Sequence, residues 1–252
     1  MPEPSLSFLL LVGAVLVLAG FVKGLLGLGL PTVAIGVLAT RISPLQALTI
    51  IIVPAIVTNI WQTFAGPYLG DIVKRLWPLM AGVCVGIWFG AGLMTGIYAQ
   101  YGTLLLGVLL VSYAAIGLGN VRFHVARARE HVVGGGIGLI TGFVSAFTGV
   151  QVIPSMPFLQ AIGMEKDELV QALGVFFTVS TVALSYNLNH AGLLTRATVL
   201  PATVAMAAAF AGMFVGQLVR ARLDADAFRR WFLVGILLLG LYLVGSTIAR
   251  LA

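Results

Sequence analysis

Apolar runs alternate with short polar breaks along the whole chain. Segments at about 6–22, 25–40, 44–64, 76–97 and 102–118 lead to a polar, basic stretch from Asn120 to His131, and a second set then runs at about 133–149, 150–163, 168–190, 198–219 and 231–251. Most are close to the ~20 residues that a helix rising about 1.5 Å per residue needs to cross a hydrocarbon core. The pattern predicts an all-α polytopic membrane protein. Met1 to Ser7 carries Glu3 and neither Lys nor Arg, unlike the basic start of a cleaved signal peptide, so the first span is expected to be retained.

The second set echoes the first in order. Gly20-Phe21-Val22 recurs as Gly142-Phe143-Val144 and Gly27 as Gly149, both at a spacing of 122 (142 − 20; 149 − 27). Pro31 matches Pro154 and Pro78 matches Pro201 at 123 (154 − 31; 201 − 78), while Gln46-Ala47-Leu48 matches Gln171-Ala172-Leu173 at 125 (171 − 46). Gly86-x-x-x-Gly90 returns as Gly212-x-x-x-Gly216 at 126 (212 − 86). Six ordered matches predict two repeats, 1–121 and 132–252, joined by a basic cytoplasmic linker at 122–131.

Charge orients this layout. Lys74 and Arg75 follow the third segment, Arg122, Arg127 and Arg129 the fifth, and Arg220, Arg222, Arg229 and Arg230 the ninth. Basic loops gather on the cytoplasmic side. They share it only if every segment crosses and both termini lie outside, and five crossings per half then invert the second repeat relative to the first. The second segment of each half opens with a Gly/Pro break, so full crossing and re-entry near the midplane both stay open for it. Composition agrees, with 60% hydrophobic and 9% charged residues against roughly a quarter charged in soluble domains. Mean hydropathy is +1.09. Cys84 is the single cysteine, which excludes an intramolecular disulfide and a cysteine metal cluster. The net charge of +6 reflects the basic loops and implies no nucleic-acid partner.

Lys23 is the one formal charge inside an apolar stretch, since each Asp and Glu falls in a predicted loop or terminus. A lysine at the centre of a span costs about 2.5 to 3.5 kcal/mol, so either it snorkels to the headgroups or it attracts an anion beside a broken helix. The break is Gly24-Leu-Leu-Gly27-Leu-Gly29-Leu-Pro31, and its partner runs from Ser145 through Thr148, Gly149 and Gln151 to Pro154. Unwound backbone at matching places in two repeats, with half-helix N-termini nearby, suits an anion site. The two GxxxG pairs read instead as close helix packing. The glycines lack the order of a P-loop or a dinucleotide fingerprint. Neutral polar residues lie inside the third segment (Gln46, Thr49, Asn59, Gln62) and the eighth (Gln171, Thr178, Ser185, Asn187, His190). Amide NH2 groups donate to an anion without a charge penalty. The candidate site is therefore Lys23, Gly24, Gly27, Gly29, Gln46, Asn59, Gln62, Thr148, Gly149, Gln151, Gln171 and Asn187. Trp61 and Tyr186 hold equivalent positions and are either interfacial anchors or walls for an apolar part of the substrate.

On the string Gly20-Phe-Val-Lys-Gly24-Leu-Leu-Gly27-Leu-Gly29-Leu-Pro31 with Gln46-Ala-Leu, and on its echo Gly142-Phe-Val-Ser-Ala-Phe-Thr148-Gly149-Val-Gln151-Val-Ile-Pro154, the chain resembles the TauE/SafE sulfite exporter family, also called the toluene sulfonate uptake permease family. The resemblance implies a multi-pass transporter of the bacterial inner membrane for sulfite, organosulfonates or other small anions. Leu28 and Leu30 interrupt the first glycine run, and Val150 and Gln151 stand in the second, where the commoner family pattern has three glycines.

These readings converge on a secondary permease for a small anion, sulfite or an organosulfonate, working by alternating access in the lipid bilayer. The alternatives are an anion channel and a carboxylate permease of the same architecture. An enzyme is disfavoured, because His124, His131 and His190 have no buried carboxylate to work with. No cofactor or metal is expected. Without a carboxylate in a span, an Asp/Glu proton relay is disfavoured too. The sequence names no coupling ion, and a homodimer is compatible with it.

Overall fold

The computed structural model describes residues 5–91, 101–119, 123–220, 222 and 225–251. Glu3, the end of the fourth predicted segment at 92–97, Asn120 and Arg122 at the repeat–linker boundary, and Asp224 lie outside the described residues. The elements are α1 (Leu6–Leu26), α2 (Leu30–Leu38), α3 (Pro44–Thr63), α4 (Leu69–Ala91), α5 (Gly102–Leu118), α6 (Glu130–Thr148), α7 (Ser155–Ala161), α8 (Lys166–His190), α9 (Val199–Arg220) and α10 (Ala225–Leu251). Among the described residues there is no strand.

Seven of these helices, α1, α3, α4, α6, α8, α9 and α10, are long and apolar enough to cross a membrane, and α5 is a shorter apolar helix. The 9 residues of α2 and the 7 of α7 are too few for either helix alone to span a core of about 30 Å. Side chains sort as lipid solvation demands. Trp88 (79% exposed), Trp231 (76%) and Phe214 point outward, while Leu16, Ile35, Ile50 and Phe176 fill the interior. The chain is a multi-pass helical membrane protein.

Helix ends differ from the apolar runs in two ways: α2 and α7 begin five residues inside theirs, beyond the Gly/Pro breaks, and helices with charged first turns begin ahead of theirs. α4 starts at Leu69 and carries Lys74 and Arg75 in its opening turns, and α10 starts at Ala225 ahead of Arg229 and Arg230. Backbone hydrogen bonding continues past the edge of the apolar run, because a charged side chain in a terminal helical turn still reaches water. Asp71, Glu130, Asp167 and Glu168 likewise belong to first helical turns, where acids complement the helix dipole, and not to loops. Glu130 corrects a further expectation, since this carboxylate is buried. Arg75 makes burial tolerable with two hydrogen bonds, Nε to Oε2 at 2.8 Å and Nη2 to Oε1 at 2.7 Å. The same Nη2 also donates to the Ile162 carbonyl at 2.9 Å. One guanidinium thus ties α4 to α6 and to the end of α7.

The most extensive packing joins α4 with α6, α1 with α9, α5 with α10 and α3 with α8. Exchanging each of α1–α5 for the helix five places later returns the same four pairs. Glycines make two of these seams close. A Cβ at Gly212 would run into the Val17 carbonyl and one at Gly20 into the Ala209 carbonyl, while on the other seam Gly86 meets Leu139 and Gly142 meets Val83. The GxxxG pairs therefore bring backbones together, as the spacing suggested.

Candidate functional site

Lys23 sits in the last turn of α1, one turn from the helix end. Gly27 caps that end at φ 75°, donating its N–H to the Lys23 carbonyl at 2.8 Å. The left-handed backbone is open to glycine at little cost, which is why the helix stops there. Gly149 ends α6 in the same way, at φ 70° with its N–H on the Ser145 carbonyl at 2.8 Å. The first break is therefore Gly27 to Gly29, and Gly24 lies inside α1.

The Lys23 side chain turns inward. It is 4% exposed, and its Nζ donates to Asn59 Oδ1. Asn59 Nδ2 donates to Thr181 Oγ1 at 3.2 Å, and Gln151 Nε2 reaches the same hydroxyl at 3.3 Å. Thr181 in turn donates to the Phe177 carbonyl at 2.5 Å. A buried polar chain thus runs Lys23–Asn59–Thr181–Gln151, from the end of α1 through α3 and α8 to the second break. Lys23 reaches no carboxylate among the described residues, so its charge is met by an amide dipole alone.

Beside Lys23 lies a cavity of about 300 Å³. Its buried floor is Lys23, Gly24, Gly27, Gln62, Gln171 and Met213, and its rim includes Trp61, Tyr68, Asp167, Gln217 and Arg220. Gln62 Nε2 donates to the carbonyls of Gly27 and Val170, both at 2.7 Å, which closes the floor between the first break and α8. Gln171 Nε2 donates to the carbonyls of Thr63 and Gly66 at 2.8 and 2.7 Å, and its Oε1 accepts the Tyr68 N–H at 2.9 Å. That clamp shapes the α3–α4 turn into one wall. Two cations and one acid line the cavity, with Arg220 in the last turn of α9 and Asp167 in the first turn of α8, each favoured there by the helix dipole.

The predicted residues divide into three groups. Lys23, Gly24, Gly27, Gln62 and Gln171 meet at the cavity. Asn59 and Gln151 stand behind it in the polar chain. Gly29, Gln46, Thr148, Gly149 and Asn187 do not line the cavity. Gln46 forms a capping box with Ser43, both bonds at 3.2 Å, at the start of α3. Thr148 Oγ1 binds the Val144 carbonyl at 3.0 Å, and Asn187 Nδ2 donates to the Ile87 carbonyl at 3.1 Å. Gly29 caps α2, with Val22 and Phe232 against it. Gly24 has a second duty, because its Cα packs against Gly216 and the Met213 carbonyl. Of the two aromatic candidates, Trp61 is at the rim, whereas Tyr186 lies against the His190 ring.

Sequence reasoning missed Arg220 and Thr181. Arg220 read only as a loop cation, and nothing short of the α1–α9 seam brings it to Lys23. Thr181 carried a signal, being three residues beyond Thr178 on the same helical face.

Helices faced with apolar side chains toward lipid, enclosing a cation-lined cavity backed by a buried polar chain, define a membrane protein of the transport class. The sequence model of the sulfite exporter TauE/SafE family matches residues 12–243, and the chain belongs to that family, one of membrane transporters. No curated protein and no solved structure matches the chain.

Proposed function

We propose that the protein is a secondary permease for a small anion, sulfite or an organosulfonate, in a bacterial inner membrane. The observation that carries this reading is a buried Lys23 ammonium, held by a neutral amide, on the floor of a cavity whose rim adds Arg220. A buried cation without a counterion is costly, and an anion that enters the cavity supplies the missing partner. The volume of about 300 Å³ suits a small oxyanion or sulfonate, and Trp61 and Tyr68 offer an apolar group a wall. The charged groups of the working site are Lys23 and Arg220; Gly27, Gln62 and Gln171 shape its floor and wall, their N–H groups being already given to backbone carbonyls, and Asn59 orients the lysine.

Alternating access follows from treating 1–121 and 132–252 as inverted repeats around the linker 122–131, with α2 and α7 as short broken pieces. The exchange-symmetric packing of the helices supports this arrangement. The cavity opens at the end of the bundle that also carries Arg75 and Arg220, the cytoplasmic end by the distribution of basic residues. This form is thus the inward-facing one. An inside-negative potential drives a monovalent anion outward by about 2.3 kcal/mol per 100 mV, so export needs no coupling ion.

Counterflow of sulfite and of toluene sulfonate in proteoliposomes tests the proposal. Wild-type protein is expected to show saturable counterflow of at least one of the two. Lys23→Met is expected to insert normally and to lose about tenfold to a hundredfold in anion affinity, the worth of a hydrogen bond to a charged group. Wild-type affinity in Lys23→Met overturns the site, and non-saturating flux without counterflow makes the protein a channel.

A further inference from the structure

A second cavity, of about 460 Å³, lies at the same end of the bundle between α5, α7 and the first turns of α8 and α10. Lys166 and Arg229 bring two cations to it, and Tyr113, Met156 and Leu169 supply apolar wall. Among the described residues no acidic side chain lines it, and neither cation forms an ion pair or a side-chain hydrogen bond. Among the described residues at this end, Arg75 alone has its charge met by acids, Glu130 and, at 3.7 Å, Glu168. Two cations that converge on one cleft with apolar walls and no acid in its lining suit an anionic partner from outside the chain.

We propose that this cleft binds the headgroup of an anionic phospholipid. Both cations stand in opening turns of membrane helices, at headgroup depth in a cytoplasmic leaflet, and basic pockets between helices on that side recognise acidic headgroups. A free inorganic anion would use the cations and leave the apolar wall uncovered. A zwitterionic lipid would bring its own cation toward Lys166 and Arg229. An acidic lipid satisfies both parts, with phosphate on the cations and the glycerol end against Met156 and Leu169. The first turn of α8 is the partition between the two cavities, since Lys166 and Leu169 face the cleft while Asp167 and Val170 line the anion cavity. A lipid held here braces one wall of the transport site, whatever anion that site carries.

Native mass spectrometry of the full chain, with phosphatidylglycerol and phosphatidylcholine of identical acyl chains at equal concentration, tests this. Wild-type protein is expected to retain phosphatidylglycerol about tenfold over phosphatidylcholine. Arg229→Gln and Lys166→Glu are each expected to lower that retention about fivefold or more, at roughly one surface cation's worth of attraction. Lys166→Glu places an acid in the first turn of α8, which the helix dipole favours, so it is expected to melt like wild type and to keep the readout independent of folding. Equal retention of the two lipids, or undiminished phosphatidylglycerol in the folded variants, overturns the proposal. A third arm compares inorganic phosphate with dihexanoyl-phosphatidylglycerol. If phosphate raises the wild-type melting temperature as much and Arg229→Gln abolishes that rise, the cleft is a free-anion site and the lipid assignment falls.

Discussion

At the residue scale, Lys23 depends on groups that are themselves held from behind. Asn59 can present Oδ1 to the ammonium only while its Nδ2 has an acceptor, and Thr181 is that acceptor. Thr181→Val keeps the shape of the side chain and removes the hydroxyl, leaving Asn59 Nδ2 and Gln151 Nε2 both without it. Each buried polar group deprived of its partner costs about 1 to 3 kcal/mol. The variant is therefore expected to melt lower in detergent and to bind anion about three- to tenfold more weakly, less than Lys23→Met does. Unchanged melting and affinity would show that the amides find other partners and that the chain does not position the lysine. Asn59 and Gln62 were readable as one polar face of α3, three residues apart. Their roles were not, because one turns to Lys23 and the other to the Gly27 carbonyl, and only the α1–α3 contact separates the two.

At the element scale, the two glycine seams set where the cavity can form. α1 lies against α9 with Gly20, Gly24, Gly212 and Gly216 in the contact, and the cavity begins beyond Gly24 and Met213 where the helices part. Gly212→Leu would drive a side chain into the Val17 backbone, which no rotamer change relieves. Overpacking of this kind costs about 1 to 3 kcal/mol or more, so the variant is expected to lose thermal stability and, with Arg220 displaced from Lys23, anion binding as well. Gly136 in α6 has nothing within 4 Å of the position a Cβ would take. Gly136→Ala is accordingly expected to melt at or above wild type. Loss in both variants to the same extent would point to a general intolerance of side chains on these helices and remove the argument for the seam.

At the scale of the whole molecule, the proposed topology puts both termini outside and the basic end inside. In a Cys84→Ala background, a membrane-impermeant maleimide applied to intact cells is expected to label Ser5→Cys and to spare Arg127→Cys until the membrane is opened. The reverse pattern overturns the orientation, and with it the inward-facing assignment of the cavity.

What the sequence by itself determined is what lipid and local backbone chemistry impose. Apolar runs placed six of the ten helices to within four residues at both ends and misjudged the starts of α2, α4, α7 and α10 by five to seven residues; spacing marked the GxxxG seams, and Gly27 and Gly149 marked the two helix breaks. These depend on a residue and its near neighbours, or on a bilayer that treats every apolar side chain alike. Only the tertiary structure decided which polar groups meet. Arg220 stands 197 positions from Lys23 (220 − 23), and Thr181 stands 122 from Asn59 (181 − 59), yet each pair shares one cavity or one hydrogen-bonded chain. Gln46 and Gln171 occupy matching places in the two repeats, but one caps a helix and the other clamps the α3–α4 turn. A hydrogen bond acts over about 3 Å and needs its partner at one angle. Which partner arrives there depends on how α1 seats on α9 and α3 on α8, and no local pattern carries that information.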